Sequence, residues 1–133
     1  MKVGFACGVF DLFHAGHAIM LEECKEHCDH LILALNDASN LSLDKNIPIL
    51  SIEDRIILAK NSRFVDEVRT YSSEEGLEAL LREIQPDVRF LGEDYTDKPI
   101  TGKELSKSTY FTNRAHGKST SKLIQTILAR YTK

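Results

Sequence analysis

Two histidines, His14 and His17, stand three residues apart with Ala15-Gly16 between them. Imidazole changes charge close to neutral pH and can donate hydrogen bonds to phosphate oxygens. Residues at this spacing lie near one another on a helix, and a helical pattern begins here. Gly16 lets backbone approach an anion closely, and a helix start offers unpaired N–H groups with partial positive charge. This arrangement suits a nucleoside triphosphate, with imidazoles that gain charge as negative charge builds. The bland reading is two unrelated histidines at a helix start. The four-residue pattern carries little information alone. It becomes specific with an apolar strand, Gly8, Val9, Phe10 and Asp11 ahead of it and a helix after it.

A second group is Arg114-Ala-His-Gly-Lys-Ser-Thr-Ser121. Ser119 or Thr120 can cap the following helix, and the same hydroxyls and amides form an anion site. Arg114 and Lys118 add cations able to clamp phosphate. A third group, Gly92-Glu93-Asp94-Tyr95, follows a strand, where a solvated turn is its plain alternative. Cys24 and Cys28, with His27 beside them, share one side of a helix. Without a matching second pair of ligands they read as small core residues rather than a metal site. Cys7, inside a strand, also reads as core.

The elements that position these groups follow from the apolar pattern. Residues 2–7 form a buried strand and 16–28 a helix. The continuous apolar run 30–35 is a strand buried on both faces. Residues 36–50 are polar and irregular. Ser51 caps a helix, with acids in its first turn, that runs to about Ser62. Phe64 to Thr70 is a third strand. Ser72 and Glu75 have capping-box spacing ahead of a helix ending near Pro86. Asp87–Gly92 and Ser108–Thr112 are the last strands, and Ser119–Tyr131 is a final amphipathic helix. Strands alternating with helices imply a Rossmann-like three-layer α/β/α fold on a five-stranded parallel sheet. Ligands then bind at the carboxyl ends of the strands, where segments 8–17, 92–102 and 113–121 converge.

At 133 residues the chain suits one domain, residues 1–133, with a substantial core. A net charge of −3 from 17 basic and 20 acidic residues gives no reason to expect nucleic acid or an anionic membrane as partner. No apolar run approaches bilayer-spanning length. A strand beginning almost at Met1 leaves no room for a signal peptide. With three cysteines and no disulfide pattern, a reduced, cytoplasmic protein is expected.

The segment Gly8-Val-Phe-Asp-Leu-Phe-His14-Ala-Gly-His17 resembles the HxGH signature of the nucleotidyltransferase superfamily. Within it the chain is most similar to the small cytidylyltransferases of the glycerol-3-phosphate type. These carry Arg-Thr-Glu-Gly-Ile-Ser-Thr-Thr where this chain matches at Arg114, Gly117, Ser119 and Thr120 and departs at Ala115, His116, Lys118 and Ser121. The resemblance runs from Val3 to about Leu128. It implies catalytic roles for His14, His17, Lys45 and Arg114. It implies nucleotide contacts from Gly8, Val9, Phe10, Asp11, Gly16, Asp94, Ser119 and Thr120. Arg55, which follows Glu53-Asp54 as in the family, and Tyr95 would contact the acceptor; a surface ion pair is the plainer reading of Arg55, and a solvated loop residue that of Lys45.

The implied reaction moves CMP from CTP to a small phosphorylated acceptor such as glycerol 3-phosphate. The acceptor phosphate attacks the α-phosphorus in line and pyrophosphate leaves. Magnesium accompanies the triphosphate, with no dedicated protein metal site, and a homodimer is usual in the family. The stretch Asp94–Gly102 is equally similar to the adenylyltransferase domain of the ADP-heptose synthases. The alternative is therefore an enzyme using ATP with a sugar phosphate or FMN. A binding-only domain that kept the fold is a third reading, opposed by retention of both histidines, Arg114 and the Ser119-Thr120 helix start.

Overall fold

A computed structural model describes residues 1–39 and 47–132. Five parallel strands, β1 (Val3–Gly8), β2 (His30–Asn36), β3 (Glu67–Tyr71), β4 (Val88–Gly92) and β5 (Ser108–Thr112), lie in the order β3-β2-β1-β4-β5. Between and after them come α1 (Ala15–Glu26), α2 (Ile52–Lys60), α3 (Glu74–Ile84) and α4 (Thr120–Tyr131). The strand order reverses at β1, so a crevice opens beyond its carboxyl end and that of β4.

Alternating side chains divide the core between the two faces of the sheet. Ala6, Leu31, Leu33, Leu35, Val88 and Phe90 pack with Leu21 and Cys24 of α1 and Ala59 of α2. Phe5, Ile32 and Ala34 pack on the other face with Leu77 and Leu81 of α3. The amino end of β1 needs Gly4, since a Cβ there would lie 2.5 Å from the Phe90 ring and 2.7 Å from Cys28 Sγ. Cys24, within α1, and Cys28, two residues beyond its end, are core residues, although they do not share one helix.

Helices α1 and α2 end at Glu26 and Lys60, each two residues short of the sequence pattern, and two further boundaries differ. β3 begins at Glu67 rather than Phe64, because the 62–65 segment forms a turn closed by Val65 N–H on the Ser62 carbonyl. Phe64 and Val65 are apolar because they pack against the core from that turn. Helix α3 is capped by Ser73, not Ser72. Ser73 Oγ accepts from Gly76 N–H at 3.0 Å, while Ser72 Oγ donates to Asp37. Ser51 and Ser119 cap α2 and α4, each accepting at 3.1 Å from the amide three residues on.

Candidate active site

A cavity of about 460 Å³ opens over the carboxyl ends of β1 and β4. One arm is lined by Gly8, Phe10, His14, Gly16 and His17 from the β1–α1 turn, and by Arg114, His116, Lys118, Ser119 and Thr120 before and within α4. The other arm is lined by Cys7, Tyr71, Glu74, Leu77, Arg89 and the 99–101 segment. Two helix amino ends, those of α1 and α4, therefore face the first arm.

The turn from β1 into α1 is tightly wound. Phe10 and Leu12 both have left-handed backbone, with φ of 54° and 49°, a conformation that costs non-glycine residues about 1 kcal/mol or more. Asp11 between them offsets that strain. Its Oδ1 accepts from Leu12 and Leu50 N–H at 3.0 and 2.9 Å, and its Oδ2 from Ile49 N–H at 2.8 Å.

The two histidines cap α1 in a reciprocal arrangement. His14 Nδ1 accepts from Gly16 N–H at 3.0 Å, and His17 Nδ1 accepts from His14 N–H at 3.2 Å. Each Nδ1 is thereby an acceptor, which places the proton of the neutral ring on Nε2. His14 Nε2 meets Thr120 Oγ1 at 3.3 Å, and that hydroxyl donates onward to the Asp11 carbonyl at 3.2 Å. The imidazoles stack with centroids 3.9 Å apart, and the Phe10 and Phe13 rings lie 4.8 and 5.4 Å from His17. Gly16 is required by this packing: a Cβ there would sit 2.8 Å from His14 Cε1 and 3.1 Å from Lys118 Cβ.

Burial, then the neighbouring His14 and Arg114, pushes the His17 imidazole down to about 4. Burial, followed by His116, Arg114 and Lys118, also lowers His14. Both rings are neutral donors at pH 7, beside the cationic Arg114 and Lys118. An arriving polyanion reverses that balance and favours protonation.

Among the residues singled out from the sequence, the structure brings Gly8, Phe10, His14, Gly16, His17, Tyr95, Arg114, Ser119 and Thr120 to the cavity. Four others lie elsewhere. Val9 turns away, and its carbonyl accepts from Arg55. Asp11 is consumed in bracing the turn. Asp94 sits outside the lining, 3.7 Å from Arg114 Nη1. Arg55 is the clearest correction. It is not a surface ion pair, being only 2% exposed, and it is absent from the cavity lining. Its Nη1 donates to the carbonyls of Asn36 at 2.6 Å and Val9 at 3.0 Å, and its Nε to Leu50 at 3.2 Å. It ties the ends of β1 and β2 to the start of α2. Lys45 lies outside the described residues.

Arg89, Tyr71, Glu74 and Thr101 were not anticipated. Arg89 is 3% exposed yet lines the cavity. A cation within the otherwise apolar β4 strand was the available sequence signal. Tyr71 and Glu74 gave none, since only the sheet order brings the end of β3 and the start of α3 over β1.

The Cytidylyltransferase-like family model matches residues 5–125. The bifunctional protein HldE of Helicobacter pylori is 38% identical over 129 residues, which is 95% of this chain and 28% of that protein. The HldE protein of Wolinella succinogenes is 38% identical over 128 residues, 95% of this chain and 27% of that one. The chain thus spans little more than a quarter of the length of these relatives. A crystal structure of the lipopolysaccharide core biosynthesis protein from Thermoplasma volcanium superposes with a TM-score of 0.69 at 26% identity, covering 84% of this chain and 97% of that one. Pantothenate synthetase from Thermus thermophilus shares the fold, with a TM-score of 0.58 at 12% identity over 94% of this chain and 64% of that one.

Proposed function

This chain belongs to the cytidylyltransferase-like family, and from that premise we propose that it transfers AMP from ATP to a phosphorylated sugar, releasing pyrophosphate. The observation that carries the transfer chemistry is the convergence of His14, His17, Arg114, Lys118 and the capped start of α4 on one arm of the cavity. Similarity to HldE proteins and to a lipopolysaccharide core biosynthesis protein supports the adenylyl and sugar-phosphate reading. So does the resemblance of Asp94–Gly102 to the adenylyltransferase domain of ADP-heptose synthases. Transfer of CMP to glycerol 3-phosphate was the leading expectation from the sequence. It lacks support of this kind and becomes the second arm of the test.

In the proposed reaction an oxygen of the acceptor phosphate bonds to the α-phosphorus, and the bond to the bridging α,β-oxygen breaks. Pyrophosphate leaves with that electron pair. An ionised phosphate is already nucleophilic, so positioning and charge stabilisation supply the catalysis. His17 donates Nε2–H to the phosphate oxygens as charge shifts toward the leaving group, and His14 does the same by exchanging Thr120 Oγ1 for a phosphate oxygen. Arg114, Lys118 and the α4 amides hold the β- and γ-phosphates. The imidazole, guanidinium and ammonium donors of this arm suit phosphate oxygens rather than a divalent cation. Magnesium would therefore be held by the triphosphate's own oxygens, where it neutralises charge. A homodimer is part of the proposal, with the exposed Leu123, Ile127 and Leu128 of α4 as a surface for a second copy. Sedimentation velocity tests that assembly.

The deciding experiment measures pyrophosphate release with ATP or CTP against heptose 1-phosphate, other sugar phosphates, FMN and glycerol 3-phosphate. Release with ATP and a sugar phosphate, lost in His17→Ala without loss of fold, is the expected result. Release only with CTP and a polyol phosphate would replace the adenylyl reading.

A further inference from the structure

The second arm of the cavity contains a guanidinium with no ion-pair partner among the described residues. Arg89, the second residue of β4, lies on the α3 face of the sheet and is 3% exposed. Its Nη1 donates to the Thr101 carbonyl, and its Nη2 lies 3.9 Å from Cys7 Sγ. Its Nε is buried and has no hydrogen-bond partner. Among the described residues no carboxylate lies within ion-pair distance of it. Cys7 does not take that role, because burial pushes its thiol up despite the guanidinium. A buried charge without a counter-charge is costly, and an arginine cannot escape the cost by losing its proton. The same side chain lines the cavity.

We propose that Arg89 is the anchor for the anionic group of the acceptor, a specificity-determining residue that leaves the nucleotide to the histidine arm. The unpaired Nε–H lets the guanidinium turn toward a ligand oxygen without giving up a hydrogen bond on that atom. Beside it stand polar groups of the opposite kind. Glu74, at the start of α3, accepts from the Thr101 hydroxyl, and Tyr71 lines the same arm. The Glu74 carboxylate repels a second anion but accepts from hydroxyl groups. The arm thus fits a ligand with one anionic group directed at Arg89 and hydroxyls directed at Glu74. A phosphorylated polyhydroxy compound has that pattern. Identifying the anion as the acceptor's rests on the nucleotidyltransferase reading; the anion site itself rests on Arg89.

The test uses the whole 15N-labelled chain with inorganic phosphate as probe. The histidine arm is first filled with α,β-methylene-ATP, and the Arg89 Nε–H resonance is followed as phosphate is added. Loss of that resonance in Arg89→Gln, or in Arg89→Lys should the first variant not fold, assigns it. We expect a saturable shift in the wild type, and calorimetry should show phosphate binding at least tenfold weaker in the variant. A resonance unmoved by phosphate, or unchanged phosphate affinity in the variant, overturns the proposal. Failure of the nucleotide analogue to bind would instead count against the transfer reaction, because the Arg89 resonance reports its own site either way.

Discussion

Lowering the pH should destabilise this protein through His17, and the size of the effect follows from its surroundings. The imidazole is held neutral by burial and by the neighbouring His14 and Arg114, with its midpoint moved from 6.5 to about 4. The unfolded chain takes up a proton below about 6.5, whereas the native ring does not until about 4. Between those values the unfolded state binds more protons, so stability falls as pH falls and the loss is complete near pH 4. At about 1.4 kcal/mol for each tenfold change in proton affinity the full difference is about 3 kcal/mol. Solvent at the ring edge screens part of it, and about 2 kcal/mol is expected. Other groups titrate over the same range, His14 in the same direction. The informative comparison is therefore wild type against His17→Gln, which removes only one titration. Urea unfolding at pH 7.5, 6.5, 5.5 and 4.5 should show the wild type losing about 2 kcal/mol more than the variant over that span. Parallel losses in the two proteins would mean that His17 is not held neutral, and the electrostatic account of the site would fall with it.

Nucleotide binding should run the other way. A triphosphate raises the proton affinity of both histidines, so near pH 6 binding should take up protons, visible as a dependence of calorimetric heat on buffer ionisation enthalpy; heats independent of buffer would contradict this. Gly16→Ala should displace His14, because the new methyl would lie 2.8 Å from its Cε1; kcat should fall at least about 100-fold, with far-UV circular dichroism unchanged. Arg55→Met should act on stability first. It strands the carbonyls of Val9, Asn36 and Leu50, at about 1 kcal/mol each, so urea unfolding should register a loss of about 3 kcal/mol.

Much of the architecture is legible in the chain because it follows from local periodicity. The run from His30 to Leu35 has no polar face and becomes β2, an interior strand buried on both sides. Ser51 and Ser119 cap α2 and α4 because a hydroxyl three residues ahead of a free amide satisfies it without tertiary help. The His14-Ala-Gly-His17 spacing likewise encodes its own helix start, both imidazoles bonding within four residues of each other. By contrast, Phe64 and Val65 carry a strand composition but lie in a turn, since apolar character records burial and not backbone geometry.

What the sequence by itself determined are the contacts made over short spans: the helix caps, the alternation of strands and helices, and the motif at the end of β1. Tertiary structure alone decided the fate of the charged groups. Arg55 and Arg89 look alike along the chain, each a cation inside a regular element. The sheet order β3-β2-β1-β4-β5 sets three backbone carbonyls around the first, which becomes a brace. It leaves Nε of the second unpartnered beside a cavity. The reason is physical: a guanidinium is satisfied or left wanting by atoms far away in sequence, and only folding brings them within reach.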